Sequence, residues 1–227
     1  MLRIYGNLLT VFILVSFFIA CSDDSTSSNN DSNEPPTLEM RQIPIPGGLT
    51  NSTNVHAQMV VAQITVANSF TGYSAFFTPI SGTSNNGVYE WTSAGLNIKM
   101  VTDESSDYYT WDIYLSGNYG GVSVNNWLYM SAESFKDGSD GSWTIYDPLT
   151  QGVLYQWNWW TGVEDIYNVN MEFTGGEIEI VSYPDESGSI DIYSDSMLDW
   201  TANWTSGGSG NWMDYDSEGN LADSGSW

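Results

Sequence analysis

The chain has 227 residues, with 28 acidic side chains against 4 basic ones and a formal charge of -24. Nucleic-acid binding rests on neutralising phosphates with Lys and Arg, and four scattered basic residues build no such footprint. A single Cys and a single His remove disulfide frameworks, thiolate zinc sites and mechanisms built on two histidines. Hydrophobic residues still make up 41% and aromatic residues 15%, enough to bury a core.

Arg3 supplies a short positive start, and Leu8 to Ala20 is a thirteen-residue apolar run closed by a small residue before Cys21. That length suits the apolar region of a signal peptide and is short of the ~20 residues a spanning helix needs. Phe18-Ile19-Ala20-Cys21 resembles the lipobox of bacterial lipoproteins, with Phe18 where Leu is usual. The resemblance implies cleavage after Ala20, acylation of Cys21 and attachment to a membrane through its acyl chains. At about 0.8 kcal/mol per buried methylene, two or three chains hold a protein firmly. Ser22-Asp23-Asp24 is similar to the acidic tract of Bacteroidota lipoproteins exported to the outer face of the outer membrane. Residues 1–20 are thus expected to be a signal peptide and residues 21–42 an acylated Cys with a disordered tether. Ser22 to Pro36 contains no aliphatic or aromatic residue to offset the entropy of ordering it.

Residues 43–227 are expected to form one β-rich domain. In its first part, Val55, Met59, Ala62, Val66, Phe70, Tyr73 and Phe77 step by three or four, which predicts an amphipathic helix over about 52–73. Asn51 to Asn54 offer capping side chains. β-branched residues between 60 and 66 also alternate, but twenty residues without a turn signal are long for a strand.

After Gly82 the period becomes two. Tyr109, Trp111, Ile113 and Leu115 predict one apolar strand face; Tyr167, Val169, Met171 and Phe173 another; then Ile190 and Ile192, and Leu198, Trp200, Ala202 and Trp204. Turn signals at Asp137-Gly138, Asp140-Gly141, Gly175-Gly176, Gly207-Gly208 and Glu218-Gly219 separate them. About ten antiparallel strands in a meander are expected, closed or half-closed as a barrel with the helix in or across it; a two-sheet sandwich is the alternative. The half-barrel is similar in architecture to bacterial lipoprotein carriers. Gly141-Ser142-Trp143, Gly210-Asn211-Trp212 and Gly225-Ser226-Trp227 form a weak repeat.

No convergent catalytic set emerges, and no cofactor or metal is expected. His56 stands alone; Glu177 and Glu179 share a wet strand face opposite Ile178 and Ile180; Asp214 to Gly219 starts like a calcium loop, but Gly225 stands where the bidentate acid belongs. Asp103-Glu104, Glu164-Asp165 and Asp185-Glu186 are expected at turns. Trp157, Trp159, Trp200 and Trp204 are expected in the core. Trp127, Tyr129, Trp160, Tyr193 and Trp212 are harder to bury and are the candidate ligand-stacking residues. The sequence therefore points to a non-enzymatic, lipid-anchored surface protein whose β domain binds or supports something. A glycan on the outward aromatics, or an apolar ligand carried in the barrel, are the specific alternatives.

Overall fold

The period-two segments assemble into a single sheet of thirteen strands in strict chain order, each antiparallel to the next. The computed structural model describes residues 36–38, 40–69 and 83–227; the expected signal peptide, Cys21 and most of the expected tether lie outside them. The strands are β1 (Thr83–Asn85), β2 (Val88–Ser93), β3 (Leu96–Glu104), β4 (Tyr108–Tyr119), β5 (Val122–Phe135), β6 (Asp140–Tyr146), β7 (Val153–Thr161), β8 (Tyr167–Phe173), β9 (Gly176–Ser182), β10 (Gly188–Ser194), β11 (Met197–Trp204), β12 (Gly210–Tyr215) and β13 (Leu221–Ser226). Among the described strands β1 pairs only with β2 and β13 only with β12, so the sheet is open and the closed barrel is set aside. Short hairpins, more of them than the turn dipeptides mark, raise the count above ten. One such signal is corrected: Asp140-Gly141 opens β6 and is not the turn before it.

Alternation delivers the core. Register places Met100, Ile113 and Met130 side by side across β3 to β5, and Trp157, Met171, Ile178, Ile192 and Trp200 across β7 to β11. All of them are buried, as are the four tryptophans expected there. Trp143 and Trp157 stack across β6 and β7 with ring centroids 4.7 Å apart and planes within 5°.

The repeat has a different basis from the Gly-x-Trp pattern. Glycines near strand starts sit beneath a tryptophan from the end of the following hairpin arm. A Cβ on Gly141 would fall 2.2 Å from the Trp159 ring, one on Gly188 2.4 Å from Trp204, and one on Gly210 2.2 Å from Trp227. Each indole N–H then donates to the carbonyl of a nearby turn: Trp159 to Gly138 (3.3 Å), Trp204 to Glu186 (3.0 Å) and Trp227 to Gly208 (2.7 Å). A bare strand glycine leaves a gap in the packed face. The ring fills it and fixes register through the hairpin.

Among the described residues two helices precede the sheet: α1 (Gly47–Thr50) and α2 (Val55–Ser69). Asn54 caps α2, its Oδ1 accepting from the backbone N–H of His56 at 2.8 Å. The buried face of α2 is Ala57, Val60, Gln63, Ile64 and Ala67, whereas Ala62 is exposed and Val55 is 65% exposed. The predicted phase is corrected by about a third of a turn. Apolar residues at 59 to 62, 64, 66 and 67 surround most of the helix, so spacing alone fits more than one face. Residues 70–73 of the expected helix lie outside the described ones.

The domain also starts earlier than residue 43. Leu38 is 2% exposed, and Pro36 O accepts the Trp111 indole N–H at 3.0 Å. Arg41 lies over the Tyr167 ring at 5.5 Å and pairs with Asp165 at 2.9 Å, and Ile43 is buried and bonded through its backbone to Asn68. Gly48 then meets the Gly207-Gly208 turn so closely that a Cβ would lie 2.0 Å from Gly207 O. Residues 36–38 and 40–48 thus form a strap along the apolar face, from β4 past β8 to the turn before β12. Twelve extended residues reach about 40 Å, and eight strand spacings measure about 38 Å.

Candidate ligand-facing surface

The five candidate aromatics do not form one platform. Trp127 is 3% exposed and is corrected from an outward to a core residue. The β4–β5 ladder is shifted between Ile113 and Tyr114 and again between Leu115 and Gly117, so both Trp127 and Met130, three residues apart, become buried. Tyr119 and Tyr129 lie around Trp127 at centroid distances of 5.3 Å each, which makes Tyr129 a half-buried part of that cluster. Trp212 pairs in register with the buried Ala202, so it belongs to the apolar side. Its ring is stacked on His56 at 3.5 Å and packed against Gly225. Trp127 therefore offers no free ring face, and one face of the half-buried Trp212 is covered by His56.

Trp160 and Tyr193 do stand on the opposite, polar face. Trp160 is 42% exposed and pairs with Asn168 on β8. Tyr193 is paired with Glu177 on β9 and donates its hydroxyl to Glu179 at 3.3 Å. Burial first, and then the neighbouring Glu179, Asp191 and Glu177 carboxylates, hold its phenol above the ordinary pKa, so it remains a donor. Three strand spacings across and four residues along separate the two rings, roughly 20 Å.

Between them lie two in-register rows that alternation places opposite the core. One runs Gln156, Glu172, Glu177, Tyr193; the other runs Asn158, Asn170, Glu179, Asp191, Thr201. Glu172 faces Glu177 directly and Glu179 faces Asp191, like-charge pairs that oppose strand pairing. Internal donors relieve part of this. Asn170 donates its amide N–H to Glu177, Thr201 donates to Asp191, and Gln156 donates to Asn158 at 3.1 Å. Carboxylates accept and never donate, so the field is acceptor-rich.

The remaining candidates take structural places. Glu177 and Glu179 lie on the wet face as expected, with Ile178 and Ile180 buried behind them. Asp216 accepts the backbone N–H groups of Glu218 and Asn220 at 2.9 Å each, closing the β12–β13 hairpin; those bonds hold its carboxyl below the usual range. Glu164 and Asp165 sit in the connection between β7 and β8 in left-handed backbone, at φ of 62° and 60°. Asp185 and Glu186 do occupy a turn, whereas Asp103 and Glu104 end strand β3, where Glu104 accepts Lys136 at 2.6 Å. Among the described residues no three His, Cys, Asp or Glu side chains are grouped so as to hold a metal ion. No helix among them is long and apolar enough to cross a membrane.

The asparagines and Gln156 were not singled out by sequence reasoning; their signal was their place opposite the apolar alternation. No family model matches this chain, and no curated protein matches it.

Proposed function

We propose that the protein is a lipid-anchored surface lipoprotein whose sheet binds a neutral glycan on its polar face. The observation that carries the ligand class is the acceptor-rich field bounded by Trp160 and Tyr193. Glycan hydroxyls supply the donors such a field lacks, and sugar rings present C–H faces that pack on aromatic rings. Acidic glycans are repelled by Glu172, Glu177, Glu179 and Asp191. The lipobox-like Phe18-Ile19-Ala20-Cys21 and the acidic tract after it support the address.

Intact cells displaying the chain are incubated with fluorescent neutral and uronic-acid polysaccharides, while an antibody follows the protein itself. The expected result is retention of a neutral polymer, lost at least tenfold in a Trp160→Ala, Tyr193→Ala double variant that still stains at the surface. Cys21→Ala is expected to release the protein from the membrane. Equal retention by the double variant overturns the binding face, and membrane retention of the Cys21 variant overturns the anchor.

A further inference from the structure

His56 is the one group in the chain whose ordinary pKa lies near neutrality, and it sits on the apolar side of the sheet, away from the polar face. It occupies the first turn of α2 and stacks on Trp212 of β12, centroids 3.5 Å apart and planes within 9°, with Trp200 of β11 as a second near-parallel ring at 6.4 Å. We propose that this stack is a pH-operated latch: neutral His56 clamps the start of α2 to the C-terminal hairpins, and protonation below about pH 6.5 loosens it.

Three features set the sign. The imidazole lies in the first turn of α2, at the positive end of the helix dipole, which disfavours a cation there. Its Nδ1 is buried without a hydrogen-bond partner, and protonation makes it an obligate donor with nothing to receive it. Burial costs the charged form more than the charged neighbours return. Those neighbours are Asp214 on β12 and Asp223 on β13, which face each other across the hairpin and favour the imidazolium, as does the indole face. The net effect holds the pKa of His56 below its ordinary value. Such a group leaves stability untouched above the unfolded pKa and removes it as pH falls toward the folded one. Only the first turn is released, because Gly48 against Gly207 and the buried Leu49 anchor α1 independently.

The test uses the full chain in detergent micelles. The single histidine, carbon-13 labelled, gives one NMR titration curve, and hydrogen exchange of the amides of residues 58–61 is followed from pH 7.5 to 5, corrected for intrinsic rates. The expected outcome is a histidine midpoint below 6.5 and a three-fold or greater loss of protection with the same midpoint. His56→Phe keeps a stacked ring without a proton site and is expected to show no acid-dependent loss. Asp214→Asn is expected to move the midpoint lower. If the Phe variant misfolds, Trp212→Leu serves instead and is expected to lose protection already at pH 7.5. A midpoint at or above 6.5, protection that ignores the histidine titration, acid loosening retained in the Phe variant, an unmoved midpoint in the Asn variant, or full protection without Trp212 overturns the latch.

Discussion

Gly188 and Gly47 differ in the space above their Cα atoms, and that space sets what each tolerates. A Cβ at Gly188 meets both the Trp204 ring and Val181 O at 2.4 Å, whereas one at Gly47 meets nothing within 4 Å. Gly188→Ala must displace the ring or part the strands, and the ring also carries the bond to Glu186 O. Overpacking and a lost hydrogen bond together cost about 2–4 kcal/mol, while Gly47→Ala should stay within about 0.5 kcal/mol. Paired urea titrations check both, and equal midpoints for the two variants would refute the account. At this scale the sequence was legible where parity was unbroken. Trp157, Trp159, Trp200 and Trp204 alternate with polar neighbours and are buried as read. Trp127 was misread because a bulge resets parity inside β5; Asn126 at φ 48° and Gly117 at φ 132° mark it, and alternation alone passes over them. Trp212 was misread because the partner that covers it, His56, is remote in sequence.

At the scale of elements, α2 shows what spacing leaves open. A helix apolar on most sides obtains its orientation from the surface it docks on. The buried phase makes a specific prediction: Ile64→Ala removes a side chain that is 0% exposed, whereas Val55→Ala trims one that is 65% exposed. The first should cost about 2–5 kcal/mol and the second under about 0.5 kcal/mol, read as shifts in thermal or urea midpoints. A larger loss at Val55 would restore the phase read from the sequence. The strands were easier. Opposite faces of β8 to β10 separate Val169, Ile178, Ile180, Ile190 and Ile192 from Asn170, Glu177, Glu179 and Asp191, so both the core and the polar field follow from one pattern. Which polar residues meet across strands did not follow, because register depends on hairpin lengths that turn dipeptides only bracket.

For the whole molecule the informative correction is the boundary. Residues 36 to 42 carry little apolar material and two Pro-rich neighbours, and so read as tether, yet Leu38 and the Pro36 carbonyl belong to the packed face. A chain beginning at residue 43 leaves the Trp111 indole N–H without Pro36 O and uncovers the Leu38 site. Burial of one Leu is worth about 1.5–3 kcal/mol and the hydrogen bond about 1 kcal/mol. Relative to a chain beginning at 36, thermal unfolding should fall by roughly 5–15 °C. Coincident melting curves would return residues 36–42 to the tether.

The strap also decides how the domain responds to force. A force applied at residue 36 acts at β4, well inside the sheet, and not at either terminal strand. The load runs along the strap beneath several strands at once, through the indole of Trp111, the ring of Tyr167 and the Gly48 contact. Contacts loaded along a line in parallel share the tension, whereas an edge strand pulled outward unzips one hydrogen bond at a time. A pull transmitted through residue 36 is thus taken up on the core face and not at the outermost strands.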